Sequence, residues 1–316
     1  MTSTFGQQSG GLDVILQRPR PSILEQFRRN PYVFLSRIIY ERWLDRAASA
    51  QPPSDAVSVV CVSDTHNSQP ALPDGDILIH AGDLTQSGTF KEMQAALDWL
   101  KVQPHRHKIV IAGSHDLLLD QSLDNGPRRS NAKDAGAERA GLDWGDLKYL
   151  QDSTAEIECR NGRQLRVYES LQSCRHGNWA FQYLRSEGEA QWSNMVPDVI
   201  DILVTHGPPR AHLDILKIGC VGLLKELWRV QPALHVFGHV HEGYGKEWLG
   251  FDAVQEAYER VILADGGLWN LFSLFGVFLR CQLQPSRVFK CLLVNPSAVG
   301  GLRDEKRREP IKVLLI

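Results

Sequence analysis

Five short runs of mostly apolar residues recur along this chain, and each stops at a cluster of aspartate, histidine or glycine. The runs are Val57–Val62, Asp76–His80, Lys108–Ala112, Asp201–Val204 and Leu234–Phe237. Runs of this length, apolar nearly throughout and rich in β-branched residues, suit strands buried on both faces. Between two of them, Phe90, Met93, Leu97 and Leu100 mark an amphipathic helix. Strands alternating with helices predict an α/β layered fold. In open α/β sheets, ligands bind beyond the carboxyl ends of the strands. The residues after each run therefore converge on one edge, although they extend from Asp64 to His241 in sequence.

Those residues are Ser63-Asp64-Thr65-His66, Gly82-Asp83, Gly113-Ser114-His115-Asp116, Thr205-His206-Gly207-Pro208-Pro209 and Gly238-His239-Val240-His241. Carboxylate and neutral imidazole together suit Mn, Fe, Zn or similar ions. Asp64 and His66 sit two apart on an extended chain, so both can point the same way. His239 and His241 share that spacing. Asp83 has two carboxylate oxygens and can serve two ions. A pair of ions can clamp the attacking and leaving oxygens of a displacement at phosphorus. Each pattern alone is weak, since Gly and His are common in turns. Five in succession, each after an apolar run, make chance implausible.

This ordered set resembles that of the calcineurin-like metallophosphoesterases, over about residues 57–310. The segments DGDILIHAGDLT, HKIVIAGSHDLLLD, RHGNWAFQ, DILVTHGPP and LHVFGHVHEGYG are similar to a branch of small metallophosphoesterase-domain proteins with fungal members. The resemblance implies a four-layer α/β/β/α sandwich of two mixed sheets flanked by helices. It implies hydrolysis of a small phosphoester, with phosphodiesters favoured, by two metal ions. Asp64, His66 and His241 would hold one ion, His206 and His239 the other, and Asp83 both. His115 would protonate the leaving oxygen and Asp116 would orient it. Ser114 stands where the family has a metal-binding Asn, so the second site should be weaker. Ser170–Cys174 also departs from the family pattern, beside Arg175, His176 and Asn178, which are expected to contact substrate. His212 is a lighter candidate for the same pocket. Two other readings stay open: a repurposed metalloenzyme acting on a non-phosphate small molecule, and a weakly active metal-binding scaffold.

The remaining sequence bounds the context. Hydrophobic content of 43% and charged content of 23% are ordinary for a globular protein, and the net charge of -2 does not favour nucleic acid. The 316 residues divide into an N-terminal extension, 1–56, with a helix and linker, and a catalytic domain, 57–316. Ser22 to Arg46 reads as helix broken at Pro31, after a loose stretch 1–20. Residues 120–140 read as an exposed loop, and Arg303–Arg308 as solvated surface. Asn295 to Gly301 reads as a turn. His80 and His235 read as core histidines, His105 and His107 as exposed. Residues 268–283 read as a buried helix, with membrane-surface or partner docking as the alternative. Six scattered cysteines, no leader-like apolar run and no transmembrane stretch suggest a cytoplasmic protein.

Overall fold

Val57–Val62 forms strand β1, and all but Ser58 of it is buried. In the computed structural model, which describes residues 22–47, 55–124, 136, 138–215, 218–283, 290–301 and 304–315, it lies inside a five-stranded sheet. Its parallel neighbours run in the order β2 (Ile77–Ala81), β3 (His107–Ile111) and β4 (Lys148–Tyr149). The C-terminal β15 (Ile311–Leu315) adds antiparallel on its other side. The expected loose stretch 1–20, the linker Ala50–Ser54, the segment Asn125–Arg129 and Arg303 lie outside the described residues.

A second sheet has six strands. β5 (Ser153–Glu158) and β6 (Gln164–Ser170) form an antiparallel pair at one edge. β9 (Ile202–Thr205), β10 (Leu234–Val236) and β12 (Lys290–Asn295) continue parallel to β6, and β11 (Gly245–Gly250) closes the other edge antiparallel. Two small ribbons lie outside these sheets: β7 (Ser173–Cys174) with β8 (Gln182–Tyr183), and β13 (Val299–Gly300) with β14 (Lys306–Arg307).

Strand periodicity divides the core. Ile202, Val204, Leu234, Val236, Leu292 and Val294 pack with Val59, Cys61, Ile79 and Ile109 of the first sheet. Leu203 and Leu293 point the other way, against Trp192 of α4 (Gly188–Trp192) and Leu223 and Leu227 of α5 (Val221–Val230). Helix α3 (Phe90–Lys101) buries Met93, Ala96, Leu97 and Leu100 in the first core, behind a capping box from Thr89 and Glu92. The arrangement is the expected mixed α/β sandwich of two sheets flanked by helices. The parallel ends of β1, β2 and β3 and those of β9, β10 and β12 supply the loops of one edge.

The N-terminal helices dock on the C-terminal ones. α1 (Ile23–Arg29) is capped by Ser22 and Glu25. Pro31 opens α2 (Pro31–Ala47), where its missing N–H costs nothing. Tyr40 of α2 stacks on Tyr258 of α6 (Ala253–Leu263) at 4.0 Å, and Trp43 donates to Asp252 at 2.9 Å. Beneath that stack lies His212, which sequence proximity to His206 had suggested for the pocket. Its ring is fully enclosed, with Nδ1 2.9 Å from Glu247 and Nε2 3.1 Å from Glu259. It braces α6 against β11 instead.

Burial alone would lower the pKa of His212, but the two carboxylates outweigh it and raise it to about 10. A histidine with a raised folded pKa contributes stability in full below its unfolded pKa of roughly 6.5. That contribution is lost as pH rises through about 10. Wild-type melting temperature should therefore decline across this window, and a His212→Ala chain should lack the decline. At neutral pH the variant should lose about 3–5 kcal/mol, because Glu259 stays buried without its cationic partner, held only by Gln255 and Trp228 among the described residues. Urea unfolding at several pH values checks both.

The segment 268–283 is helical as α7 (Leu268–Leu283), but it is not buried: Leu274 is its one buried residue. Trp269 is 82% exposed and Leu283 84%. A helix this rich in large apolar residues favours being covered, and only one side of α7 is covered within the described chain.

Candidate metal centre

The chain turns abruptly as it leaves each strand. Asp64, His66 and Asp83 take φ of 48°, 43° and 55°, and His239 takes 67°. Left-handed backbone is uncommon outside glycine, and local strain gathers at functional sites. The neighbouring glycines allow the crowding. Gly82 has φ of 92°, and a Cβ there would meet His206 Nδ1 at 2.6 Å. A Cβ on Gly113 would lie 2.3 Å from the Asp83 amide nitrogen.

These turns bring two ligand groups together. Asp64, His66, Asp83 and His241 form one; Asp83, His206 and His239 form the other, and within each group the ligating atoms lie within 4.8 Å of one another. Asp83 belongs to both. His66 Nε2 stands 3.2 Å from His241 Nε2, and His206 Nε2 stands 3.3 Å from His239 Nδ1. Asp83 Oδ2 is 3.3 Å from His206 and 3.8 Å from His66. Asp64 Oδ1 is 3.5 Å from His241. So many lone pairs aimed at one another suit a cation between them, and carboxylate with imidazole suits Mn, Fe or Zn.

Outer contacts fix the ring faces. His206 Nδ1 meets the Ala81 carbonyl at 3.0 Å, and His241 Nδ1 meets Asp304 at 3.3 Å. In both rings Nε2 is left for a metal, the arrangement usual for metal-binding histidine. Asp64 accepts from Ser63 at 2.6 Å, Ser297 at 2.7 Å and the His239 amide at 2.9 Å. Burial opposes ionisation of Asp83, but His206 and His66 outweigh it and hold the carboxyl well below the usual range. The reciprocal effect lifts His206 to about 9 against its burial. His241 rises against burial to about 10 beside Asp304 and Asp64. Burial, reinforced by His206, drives His239 well down. A bound cation would take over the role these protons play.

His115 stands next to the first group. Its ring meets that of His66 edge-on at 4.6 Å and stacks on Trp179 at 4.0 Å. Its Nδ1 lies 2.9 Å from the Gln86 carbonyl. Asp116 does not orient this ring as expected. Its carboxylate turns back to accept from the amides of Gly113 (2.8 Å), Thr85 (3.0 Å) and Leu84 (3.2 Å), and from Thr85 Oγ1 (2.7 Å). It ties the β2 and β3 loops together, while the Gln86 carbonyl sets the tilt of His115. Ser114 Oγ lies 3.3 and 3.4 Å from the Asp83 oxygens, so it faces the shared ligand.

His176 packs edge-on to His239 at 4.3 Å, and Gln182 donates to its Nδ1 at 2.7 Å. Arg175 and Asn178 are exposed beside it and linked at 3.4 Å. Gln172 and Cys174, from the segment that departs from the family pattern, border one small cavity with Gly207, Pro208 and His239.

Sequence reading missed several supports. His80 and His235 are core histidines, but each also braces the threonine that precedes a ligand histidine: Thr65 at 3.1 Å and Thr205 at 2.8 Å. Burial pushes both rings down to about 3, so they stay neutral. Asn295 to Gly301 is more than a turn, since Ser297 holds Asp64. The strand-end rule would have found it, because β12 ends beside β10. The 303–308 run is not simply solvated either: Asp304 holds His241, and Arg308 donates to the His241 carbonyl and pairs with Glu242 at 3.2 Å. His105, expected to be exposed, is buried against the Pro73 carbonyl at 3.1 Å.

A family model for calcineurin-like phosphoesterases matches residues 57–243, and the chain belongs to that family. Among curated relatives, a protein of Emericella nidulans named "Probable rhamnogalacturonate lyase C" is 44% identical over 96% of this chain. Human metallophosphoesterase domain-containing protein 1 is 38% identical over 62% of it. The chain spans 28% of the first relative's length and 64% of the second's. A solved structure, TT1561 of Thermus thermophilus, overlays 61% of this chain and 84% of its own with a TM-score of 0.38 and 11% identity. Likeness that remote adds nothing to the family match.

Proposed function

We propose that this protein is a dinuclear metal-dependent phosphoesterase acting on a small phosphoester, with phosphodiesters favoured. The observation that carries this reading is a single buried carboxylate, Asp83, shared by two groups of ligands with a histidine at their edge. Asp64, His66 and His241 would hold one ion of the Mn, Fe or Zn type, and His206 and His239 the other, with Asp83 between them. Bound there, the ions supply positive charge for a phosphoryl group and an acidified water as nucleophile. The protein's own residues do the rest. His115, held at Nδ1 by the Gln86 carbonyl, presents its other nitrogen to a leaving oxygen and delivers a proton there. Asp116 is a positioning residue that fixes the loop carrying His115. Arg175, His176 and Asn178 form the rim on the His239 side and meet the substrate. His212, enclosed beneath α2, takes no part.

The name of the 44% relative does not transfer a lyase activity, since the aligned part is 28% of that protein. We assign 57–316 to the catalytic domain and 1–56 to an N-terminal extension whose helices α1 and α2 dock on it. Six cysteines without a disulfide support a reducing, cytoplasmic setting. Among the described residues no helix is long and apolar enough to cross a membrane. A panel of chromogenic phosphodiesters and phosphomonoesters, run with added Mn²⁺, tests the proposal. Hydrolysis that chelation abolishes supports it, and metal binding without any hydrolysis sinks it.

Ser114 gives a sharper test of the second site. A hydroxyl reaches less far than an amide oxygen, so Ser114→Asn should tighten metal binding there. The expected gain is about tenfold, comparable to losing or gaining one supporting contact in a metal site. Activity at low metal should rise, with the curve shifted to lower Mn²⁺. Identical activation curves for both proteins would show Ser114 to be silent.

A further inference from the structure

The outward side of α7 carries large side chains spaced evenly about one glycine. That glycine is Gly276. Trp269 and Leu283 lie seven residues either side, and Phe272 and Arg280 lie four either side. Offsets of three, four and seven return to the same helix face. The large members are bare: Trp269 is 82% exposed, Phe272 57%, Leu279 48% and Leu283 84%. Gly276 is exposed, and a Cβ built on it meets nothing within 4 Å. The opposite side of α7 is used, with Leu274, Val277 and Cys281 packed on α2 and α6.

We propose that this face is the interface of a two-fold symmetric dimer, α7 against α7 of a second copy. In a two-fold contact the same patch meets itself. With the helices antiparallel and Gly276 on the axis, a residue at +k meets its counterpart at -k. Trp269 then covers the partner copy's leucine at 283, and Arg280 lies over the aromatic ring at 272, a cation–π pair. The missing side chain at 276 lets the backbones approach where the helices cross. No acidic residue lies in the stripe, and each copy's one cation faces a ring rather than its own copy.

The area falls within the scatter of standard interfaces, roughly 600–1,000 Å² per partner. With roughly 150–250 Å² per fully buried aromatic, the exposed apolar side chains of α7 supply on the order of 700 Å² per copy. A standard interface needs about 800 Å² per partner. A lipid surface is less well matched. Interfacial helices carry rows of Lys and Arg beside the apolar face, whereas α7 has Arg280 alone. A glycine notch mid-stripe also gives a bilayer nothing to bury.

Light scattering on the full chain across micromolar concentrations tests this. The wild type should show twice the 35.5 kDa chain mass. Gly276→Leu should show the single mass, or a dissociation constant at least about tenfold higher, since a factor of ten needs only about 1.4 kcal/mol. Its circular dichroism and metal content should be unchanged, because the position is open in the single chain. Gly276→Cys should cross-link to a dimer under mild oxidation. A wild type that is monomeric throughout, a Gly276→Leu protein that dimerises equally well, or a monomer that sediments with phosphatidylserine vesicles would each overturn the proposal.

Discussion

Replacing Asp83 with alanine is expected to strip most of the metal from the protein and to abolish metal-dependent hydrolysis. Asp83 is the one residue shared by both candidate ligand groups among the described residues, so it alone would serve both ions. Loss of an outer contact alone lowers metal affinity by roughly 10–100-fold. Loss of a shared ligand should exceed that at each position. The variant also removes the carboxylate that accepts from the His115 amide at 2.7 Å and faces Ser114. The β2 and β3 loops remain tied through Asp116, so the fold should persist. Elemental analysis of protein prepared without chelator, beside circular dichroism, reads both effects. Unchanged metal in a folded Asp83→Ala protein would contradict the ligand assignment.

His115→Ala should show the second largest effect, and one that depends on the substrate. General acid catalysis contributes roughly two to four decades when the leaving oxygen needs a proton. An alkyl phosphodiester should suffer that loss. A nitrophenyl ester, whose leaving group departs as a stable anion, should suffer far less. Metal content should stay near wild type, because the ring lies beside the ligand groups and belongs to neither. Equal losses on both substrates would give His115 a phosphate-positioning role. Gln86 offers no substitution test, because its backbone carbonyl is what holds the ring.

The strands and the convergence of the candidate ligands were legible for one physical reason. A strand buried on both faces must be apolar throughout, so any polar cluster after it stands out, and parallel strands deliver their ends to one edge. Asp64, His66, Asp83, His206, His239 and His241 all obey that rule. Asp116 did not, because adjacency to His115 in sequence says nothing about which way a carboxylate turns. Three of its four donors are backbone amides, which leave no trace in the pattern. His212 failed for a similar reason: six residues beyond His206, the chain has already passed under α6. Ser297 supports Asp64 from just past the end of β12 and follows the same rule, whereas Asp304 supports His241 from far along the sequence, with no local spacing to mark it. The α7 helix exposes a different limit. Apolar composition tells that a surface must be covered, but not that the cover lies within the same chain.

Phosphoester hydrolysis at the shared-carboxylate centre should require two ions. Stepwise return of Mn²⁺ to chelator-treated protein, with turnover of a nitrophenyl phosphodiester as the readout, tests it most directly. No turnover is expected without metal, then activity that keeps rising after the first ion per chain is bound and levels off near two. Activity already complete at one ion, or two ions bound with no phosphodiester cleaved, would contradict it.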